Sequence, residues 1–110
     1  MPAAATASPP PDVFQAIADP TRRRLLDLLR DGEQSAGGLA RQFPVSFAAI
    51  SQHLGTLHAA GLVERRAEGR ERIYRLAPAR LGAVLDWVAP YQAFWEGRLE
   101  RLETFLDRRS

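Results

Sequence analysis

Two groups of residues in the middle of this 110-residue chain have the chemistry of nucleic-acid contacts. All 15 basic residues are arginine, whose planar guanidinium forms paired hydrogen bonds with phosphate. Five of them fall in a short run: Arg65, Arg66, Arg70, Arg72 and Arg75. The second group is Ala48, Ser51 and Gln52. Gln can form two hydrogen bonds with an adenine edge, Ser can bond a base or a phosphate, and an Ala methyl group can contact the thymine methyl group.

Positive charge is concentrated in the same part of the chain. Residues 1–34 carry a net charge of −1 and residues 77–110 are neutral, whereas residues 35–62 carry +1 and residues 63–76 carry +2. The stretch 35–62 contains no acidic residue at all. Because a polyanion repels carboxylates, this distribution favours a nucleic-acid partner.

A predicted helix would present the small polar group to solvent. Ser46 is a suitable N-cap for this helix, and Gly61 ends it. With about 100° of rotation per residue, its apolar residues share one face, which we expect to be buried: Ile50, Leu54 and Leu57. The outward face is uncharged and is formed by Ala48, Ser51, Gln52, Gly55 and Ala59. Phe47 lies on the flank, where it is either partly buried or an apolar contact to a base.

The arginine run is predicted to form a β-hairpin. Residues 62–67 and 72–76 are β-branched or arginine-rich, and Gly69 supplies the turn between them. Arginine on a projecting hairpin can enter a minor groove or bind the phosphates beside it. The alternative is a solvated hairpin whose arginines pair with neighbouring acids, namely Glu64, Glu68 and Glu71.

The surrounding segments predict a mainly α-helical fold with a small β-hairpin. Suitable N-caps begin three earlier helices, and these caps are Asp12, Asp19 (followed by Pro20) and Ser35. The second helix ends at Asp31-Gly32, and the third runs through Phe43. A short turn between the third and fourth helices, with a hairpin after the fourth, is the arrangement of a winged helix-turn-helix. Residues 12–77 form this domain, preceded by a flexible tail over residues 1–11.

Residues 78–110 are predicted to be C-terminal dimerisation helices. Apolar residues recur there at helical spacing, and Pro90 must kink or split the helix because it lacks a backbone donor. The aromatic surface exceeds what a small winged domain buries alone, so we expect a two-fold dimer through the terminal helices. An effector pocket lined by the same aromatic residues is the alternative. The predicted interface comprises Val13, Phe14, Ile17, Leu85, Val88, Tyr91, Phe94, Trp95, Leu99 and Leu102.

Other classes of function find little support. The chain has no cysteine, no apolar run long enough to span a bilayer and no secretory signal, so we expect a cytoplasmic protein without a membrane partner. The only histidines, His53 and His58, lie about 140° apart on one helix and cannot share a metal ion. We expect His53 to pack or to form a hydrogen bond rather than to contact DNA. No acid–base pair or nucleophile is evident, so no enzyme activity, cofactor or metal is expected.

Three segments resemble the ArsR family of bacterial winged-helix transcriptional regulators. Residues 18–22 (ADPTR) resemble the opening signature of that family, and residues 46–63 resemble its recognition segment. Gly69-Arg70 and Tyr74-Arg75-Leu76 resemble its wing. The resemblance implies a homodimeric repressor whose fourth helix enters the major groove of double-stranded DNA.

The sequence departs from the metal-sensing members of that family. They carry Cys-x-Cys in the third helix, where this chain has residues 35–38 (SAGG), and no histidine follows His58. Members of that family also commonly have a basic residue at the position that Gly55 occupies in this chain. We therefore predict a regulator that does not sense metal through these sites, with its effector unknown. The predicted DNA contacts are Arg41, Ser46, Phe47, Ala48, Ser51, Gln52, Arg65, Arg66, Arg70 and Arg72. A winged-helix module that binds protein instead of DNA is the alternative.

Overall fold

The computed structural model of the chain describes residues 12–109, apart from the side chains of Leu99 and Arg109. Five α-helices and three strands follow in the order α1 (Val13–Ala16), α2 (Pro20–Arg30), β1 (Gln34–Ser35), α3 (Ala36–Ala40), α4 (Phe47–Ala59), β2 (Val63–Glu68), β3 (Glu71–Leu76) and α5 (Gly82–Arg109). A 3-10 turn, Pro78–Leu81, precedes α5. The mainly helical fold with a small antiparallel sheet is confirmed. The predicted tail, residues 1–11, lies outside the described residues.

The helices begin where their capping residues predict. The Asp12 side chain accepts a hydrogen bond from the Gln15 amide at 2.8 Å, and the Gln15 side chain accepts one from the Asp12 amide at 3.0 Å. The side chains of three further caps likewise accept a hydrogen bond from an amide in the first turn: Asp19 at α2, Ser35 at α3 and Ser46 at α4. Each cap provides a partner for an amide that has no acceptor inside its own helix.

One hydrophobic core lies between the helices and the sheet. Its most deeply buried large residues come from α2, α3, α4, the following turn and β3, and they are Leu25, Leu39, Ile50, Leu54, Leu57, Leu62 and Tyr74. The 3-10 turn and the start of α5 also pack on this core through Leu81 and Val84. The packing fixes α4 and the β2–β3 hairpin on one framework, so neither is an independent unit.

The sheet has three strands rather than the predicted two. β1 pairs with β3, with Gln34 opposite Tyr74 and Ser35 opposite Ile73, and the strand order is β1-β3-β2. A strand of two residues shows no alternation in the sequence, and only the tertiary pairing reveals it. The Gly69 turn is confirmed: φ is 64° there, a conformation that favours glycine.

One predicted helix boundary is wrong, and one of two alternatives at Pro90 is excluded. Regular α3 ends at Ala40, and the chain continues to Phe43 through tighter bonds such as that from the Phe43 amide to the Ala40 carbonyl at 3.2 Å. The sequence predicts that Pro90 kinks or splits the last helix, and α5 continues through Pro90 without splitting. Proline lacks only the one amide that would bond the carbonyl of Asp86, so the other hydrogen bonds of the helix remain.

Candidate nucleic-acid interface

Helix α4 is fixed by its apolar face and presents the opposite face to solvent. Ile50, Leu54 and Leu57 are 0% exposed. The Ser46 hydroxyl accepts a hydrogen bond from the Ala49 amide at 3.1 Å and defines the start of the helix. The division into buried and outward faces is the one that the helical spacing predicts.

The outward face of α4 is small and uncharged. Ala48, Ser51 and Gln52 are all exposed, and the helix contains no Asp, Glu, Lys or Arg. The Phe47 side chain is 56% exposed, so the structure favours the accessible position over the buried one. A surface with these properties can approach a polyanion closely without repelling it.

Arg22 connects α4 to the N-terminal helices, a role that the sequence analysis missed. Its guanidinium donates to the Ala16 carbonyl at 2.7 Å and to the Gln15 carbonyl at 3.1 Å, and it lies 3.2 Å from Nδ1 of His53 on α4. His53 is therefore a hydrogen-bonding residue of the framework, as predicted. The available signal was the position of Arg22 in the ADPTR segment, three residues after the cap of α2.

Asp19 completes this junction. The Arg22 backbone amide donates to its carboxylate at 3.0 Å, and His53 Nδ1 lies 3.9 Å away. Hydrogen bonding from that amide, aided by the charges of His53 and Arg22, holds the pKa of Asp19 below its ordinary value. The charged carboxylate thus stabilises the start of α2 next to α4.

The pairing register sorts the hairpin arginines onto two faces. Arg65 lies opposite Tyr74, and Arg72 lies two residues before Tyr74, so both share the face of that buried residue. Arg66 and Arg75 lie on the other face. Within residues 12–109, Arg65, Arg70 and Arg72 form no ion pair.

Two of the three unpaired arginines, Arg70 and Arg72, border a concave surface together with the start of the uncharged helix. This concavity of about 560 Å³ opens between α4 and the hairpin, and its lining includes Phe47, Ser51, Arg70, Glu71, Arg72 and Tyr74. A second concavity follows the exposed side of α4 from Ser46 to Gln52. The fold thus brings residues of the two candidate groups together, although 18 positions separate Gln52 from Arg70 in the chain.

The other face of the hairpin carries acids. Arg66 forms a two-pronged pair with Glu33, at 2.9 and 2.7 Å, and donates to Glu68 at 3.0 Å. The hydrogen bonds that Arg66 donates to these carboxylates raise the pKa of Arg66, and Arg66 lowers the pKa of Glu33. Arg75 pairs with Glu64 across the strands. In the structure the Arg66 guanidinium faces carboxylates, and the phosphate contact of Arg66 stays a prediction. Glu33, its main partner, was missed.

All ten predicted DNA contacts are exposed, and these are Arg41, Ser46, Phe47, Ala48, Ser51, Gln52, Arg65, Arg66, Arg70 and Arg72. Arg41 follows α3 as its C-cap, in the segment that leads to α4. Exposure makes contact possible, and their individual roles stay predictions.

The terminal helices expose a large apolar surface. The ring of Phe14 on α1 packs edge-on against the Trp87 ring, with 6.1 Å between the ring centroids, and the centroids of Trp87 and Tyr91 are 5.6 Å apart. The large apolar residues that are more than half exposed on α5 are Leu85, Trp87, Tyr91, Phe94, Trp95, Leu102, Phe105 and Leu106. Trp87, Phe105 and Leu106 were not among the predicted interface residues.

Two members of the predicted dimer interface are covered within their own chain. Val13 is only 9% exposed and belongs to the core, and Ile17 packs against that core. The short α1 turns these residues inward because its inner face repeats every three to four residues. Phe14 remains outward, at 42% exposed. The Leu99 side chain lies outside the described part of the structure.

The described chain offers little that suits other chemistry. Within residues 12–109, no three His, Asp or Glu side chains are grouped to hold a metal ion. No helix in that range has both the length and the apolar character needed to cross a membrane.

An uncharged helix after a short turn, beside a hairpin with unpaired arginines, defines a winged helix-turn-helix DNA-binding protein. Comparison with known proteins agrees. Residues 19–65 match the model of the family described as "Bacterial regulatory protein, arsR family".

Sequence relatives are similar to this chain over a longer stretch than residues 19–65. The chain is 39% identical over 77 residues to the transcriptional repressor SdpR of Bacillus subtilis (strain 168), covering 70% of this chain and 86% of that protein. It is 45% identical over 75 residues to the HTH-type transcriptional regulator Rv2034 of Mycobacterium tuberculosis, covering 68% and 70%. This chain belongs to the ArsR family of DNA-binding transcriptional regulators.

Solved structures show the same fold. A crystal structure titled as a possible transcriptional regulator for arsenical resistance matches with a TM-score of 0.66 at 48% identity, covering 84% of this chain and 93% of that one. The ArsR family transcriptional regulator RHA00566 matches with a TM-score of 0.68 at 34% identity, covering 76% and 86%.

Proposed function

We propose that this protein is a homodimeric repressor that acts in the cytoplasm by covering promoter DNA. The observation that carries the proposal is the single concave surface on which an uncharged, outward helix face adjoins arginines that have no acidic partner among the described residues. The name of one relative, a transcriptional repressor, supports the direction of regulation.

In this proposal α4 lies in the major groove and the hairpin lies over the flanking phosphates. Gln52 reads an adenine edge, Ala48 contacts a thymine methyl group, and Ser51 bonds a base or phosphate. Arg65, Arg70 and Arg72, with Arg41 from the preceding turn, bind phosphates and supply most of the affinity. Phe47 adds an apolar contact at the start of the helix.

The exposed surface of the terminal helices supports pairing of two chains. Helix α5 has 28 residues and carries aromatic and aliphatic side chains far past its contacts with the core. Exposed apolar surface of this extent is a mark of an interface. Residues 78–109, with Phe14, would then form the dimer contact, and the two α4 helices would read half-sites about 34–36 Å apart or a multiple of that.

DNA binding is tested with duplexes of about 30 base pairs selected from a random pool, long enough for two half-sites. Fluorescence anisotropy compares the selected duplex with a random one. Gln52→Ala should weaken binding to the selected duplex by about 10-fold or more and random binding much less, since a good base contact is worth about 1–3 kcal/mol. Equal loss on both duplexes would remove Gln52 from this role. No binding to any duplex would instead favour the protein-binding module.

A further inference from the structure

The face of the hairpin that points away from α4 is tied to the body of the domain by Glu33. This residue lies in the loop between α2 and β1. Its carboxylate accepts hydrogen bonds from both terminal nitrogens of Arg66, from Nη1 at 2.9 Å and from Nη2 at 2.7 Å. The Arg66 Nη2 also donates to Glu68 at 3.0 Å, next to the Gly69 turn. One guanidinium therefore joins the loop, the middle of β2 and the hairpin tip.

The position of the Glu33–Arg66 pair in the sheet lets it restrain the orientation of the hairpin. In the order β1-β3-β2, β2 is an edge strand, and β3 is its only strand partner within residues 12–109. Residues 64–72 are all exposed, so little apolar packing holds the outer half of the hairpin. A two-pronged arginine–carboxylate pair fixes orientation as well as distance. The Glu33–Arg66 pair spans from the segment before β1 to β2 and can set the angle of the hairpin.

We propose that Glu33 is a positioning residue for DNA binding: its pair with Arg66 holds the hairpin so that Arg65, Arg70 and Arg72 stay beside α4. The inference rests on the proposed contact between these arginines and phosphate. In this inference an acidic residue, Glu33, favours the binding of a polyanion. Arg66 supports the hairpin instead of binding phosphate.

This role predicts a change in DNA affinity opposite to the one that net charge alone predicts. Removing a carboxylate raises the net charge and should tighten binding to DNA. If Glu33 positions the hairpin, Glu33→Gln should instead weaken binding about two- to fivefold, the range that exposed ion pairs span. The matched control is Glu71→Gln, which also removes one negative charge, in this case from the hairpin itself, at a carboxylate with no ion pair among the described residues. We expect Glu71→Gln to bind DNA equally or more tightly.

The measurement is anisotropy of the full chain with a random duplex of about 30 base pairs at several NaCl concentrations, so that no operator needs to be known. Arg66→Gln should weaken binding without changing the salt slope, because no phosphate contact is lost. The double variant, Glu33→Gln with Arg66→Gln, should bind no more weakly than Arg66→Gln alone, as expected for two residues acting through one pair. Amide hydrogen exchange in residues 65–72 should be faster in Glu33→Gln, while the amides of α2 and α4 stay unchanged.

Each contrary result is decisive. If Glu33→Gln binds as tightly as Glu71→Gln or more so, the inference is overturned while the proposed function stands. If Arg66→Gln lowers the salt slope by about one, Arg66 is a phosphate ligand and the inference is again overturned. If the wild-type chain binds no duplex, the proposed function fails and the inference fails with it.

Discussion

Arg72 and Arg75 lie three residues apart on β3, both exposed, yet the structure places them on opposite faces of the hairpin. Arg72 shares the face of Tyr74 and borders the concavity beside α4. Arg75 lies on the other face and pairs with Glu64. We therefore expect Arg72→Ala to remove a phosphate contact and Arg75→Ala to leave the phosphate contacts intact.

The size of the effect follows from counting the unpaired arginines of the hairpin. Arg65, Arg70 and Arg72 give three per chain and six in the proposed dimer, and each phosphate contact contributes about 0.9 to the slope of log K against log salt. Through these hairpin contacts alone, a fourfold rise in salt should then weaken wild-type binding about 2,000-fold, and Arg41 adds its own share equally in every variant. With two contacts fewer, the hairpin contribution in the Arg72→Ala dimer should be only about 150-fold over the same rise, a difference of about 12-fold from wild type.

The assay is anisotropy with one labelled random duplex, titrated with each variant between about 50 and 200 mM NaCl. Arg75→Ala is the matched control, since it removes the same charge from the same strand and should keep the wild-type slope. Circular dichroism verifies that both variants fold. Equal slopes for the two variants, or a lower slope for Arg75→Ala, would refute the assignment of the hairpin faces.

Three further predictions concern assembly and stability. Trp95→Glu should convert the dimer to a monomer in sedimentation equilibrium, whereas Thr104→Glu, about 180° around α5 from Trp95, should not; a monomeric wild-type chain would contradict the proposal. Leu54→Ala, at a site that is 0% exposed, should lower the free energy of unfolding by about 2–5 kcal/mol in urea denaturation. Asp19→Asn keeps a capping oxygen but not the charge. Because the pKa of Asp19 is lowered in the folded chain, wild type should be more stable than Asp19→Asn near pH 6. That advantage should be lost as the pH falls from the ordinary Asp pKa of about 3.9 through the lower pKa of Asp19 in the folded chain. An advantage independent of pH in the same denaturation assay would show that the charge has no role.

The elements that the sequence predicts correctly are those with strong local signals. Capping residues such as Asp19 and Ser46 mark helix starts because amides without helical partners need acceptors. The buried face of α4 follows from helical spacing alone. The elements that it misses or leaves open have weak or absent local signals: β1 is too short for alternation, and proline at position 90 does not itself decide between a split and a continuous helix.

The sequence alone determined the composition of the binding surface: an α4 without charge, a hairpin rich in arginine and a chain without cysteine are properties of residue order. Tertiary structure decided which arginines are available. Glu33 and Arg66 are 33 positions apart in the chain, and only the three-stranded pairing brings them within 2.7 Å. A carboxylate that far away leaves no local pattern around Arg66, and hydrogen bonds act over a few ångströms of space, whatever the separation along the chain.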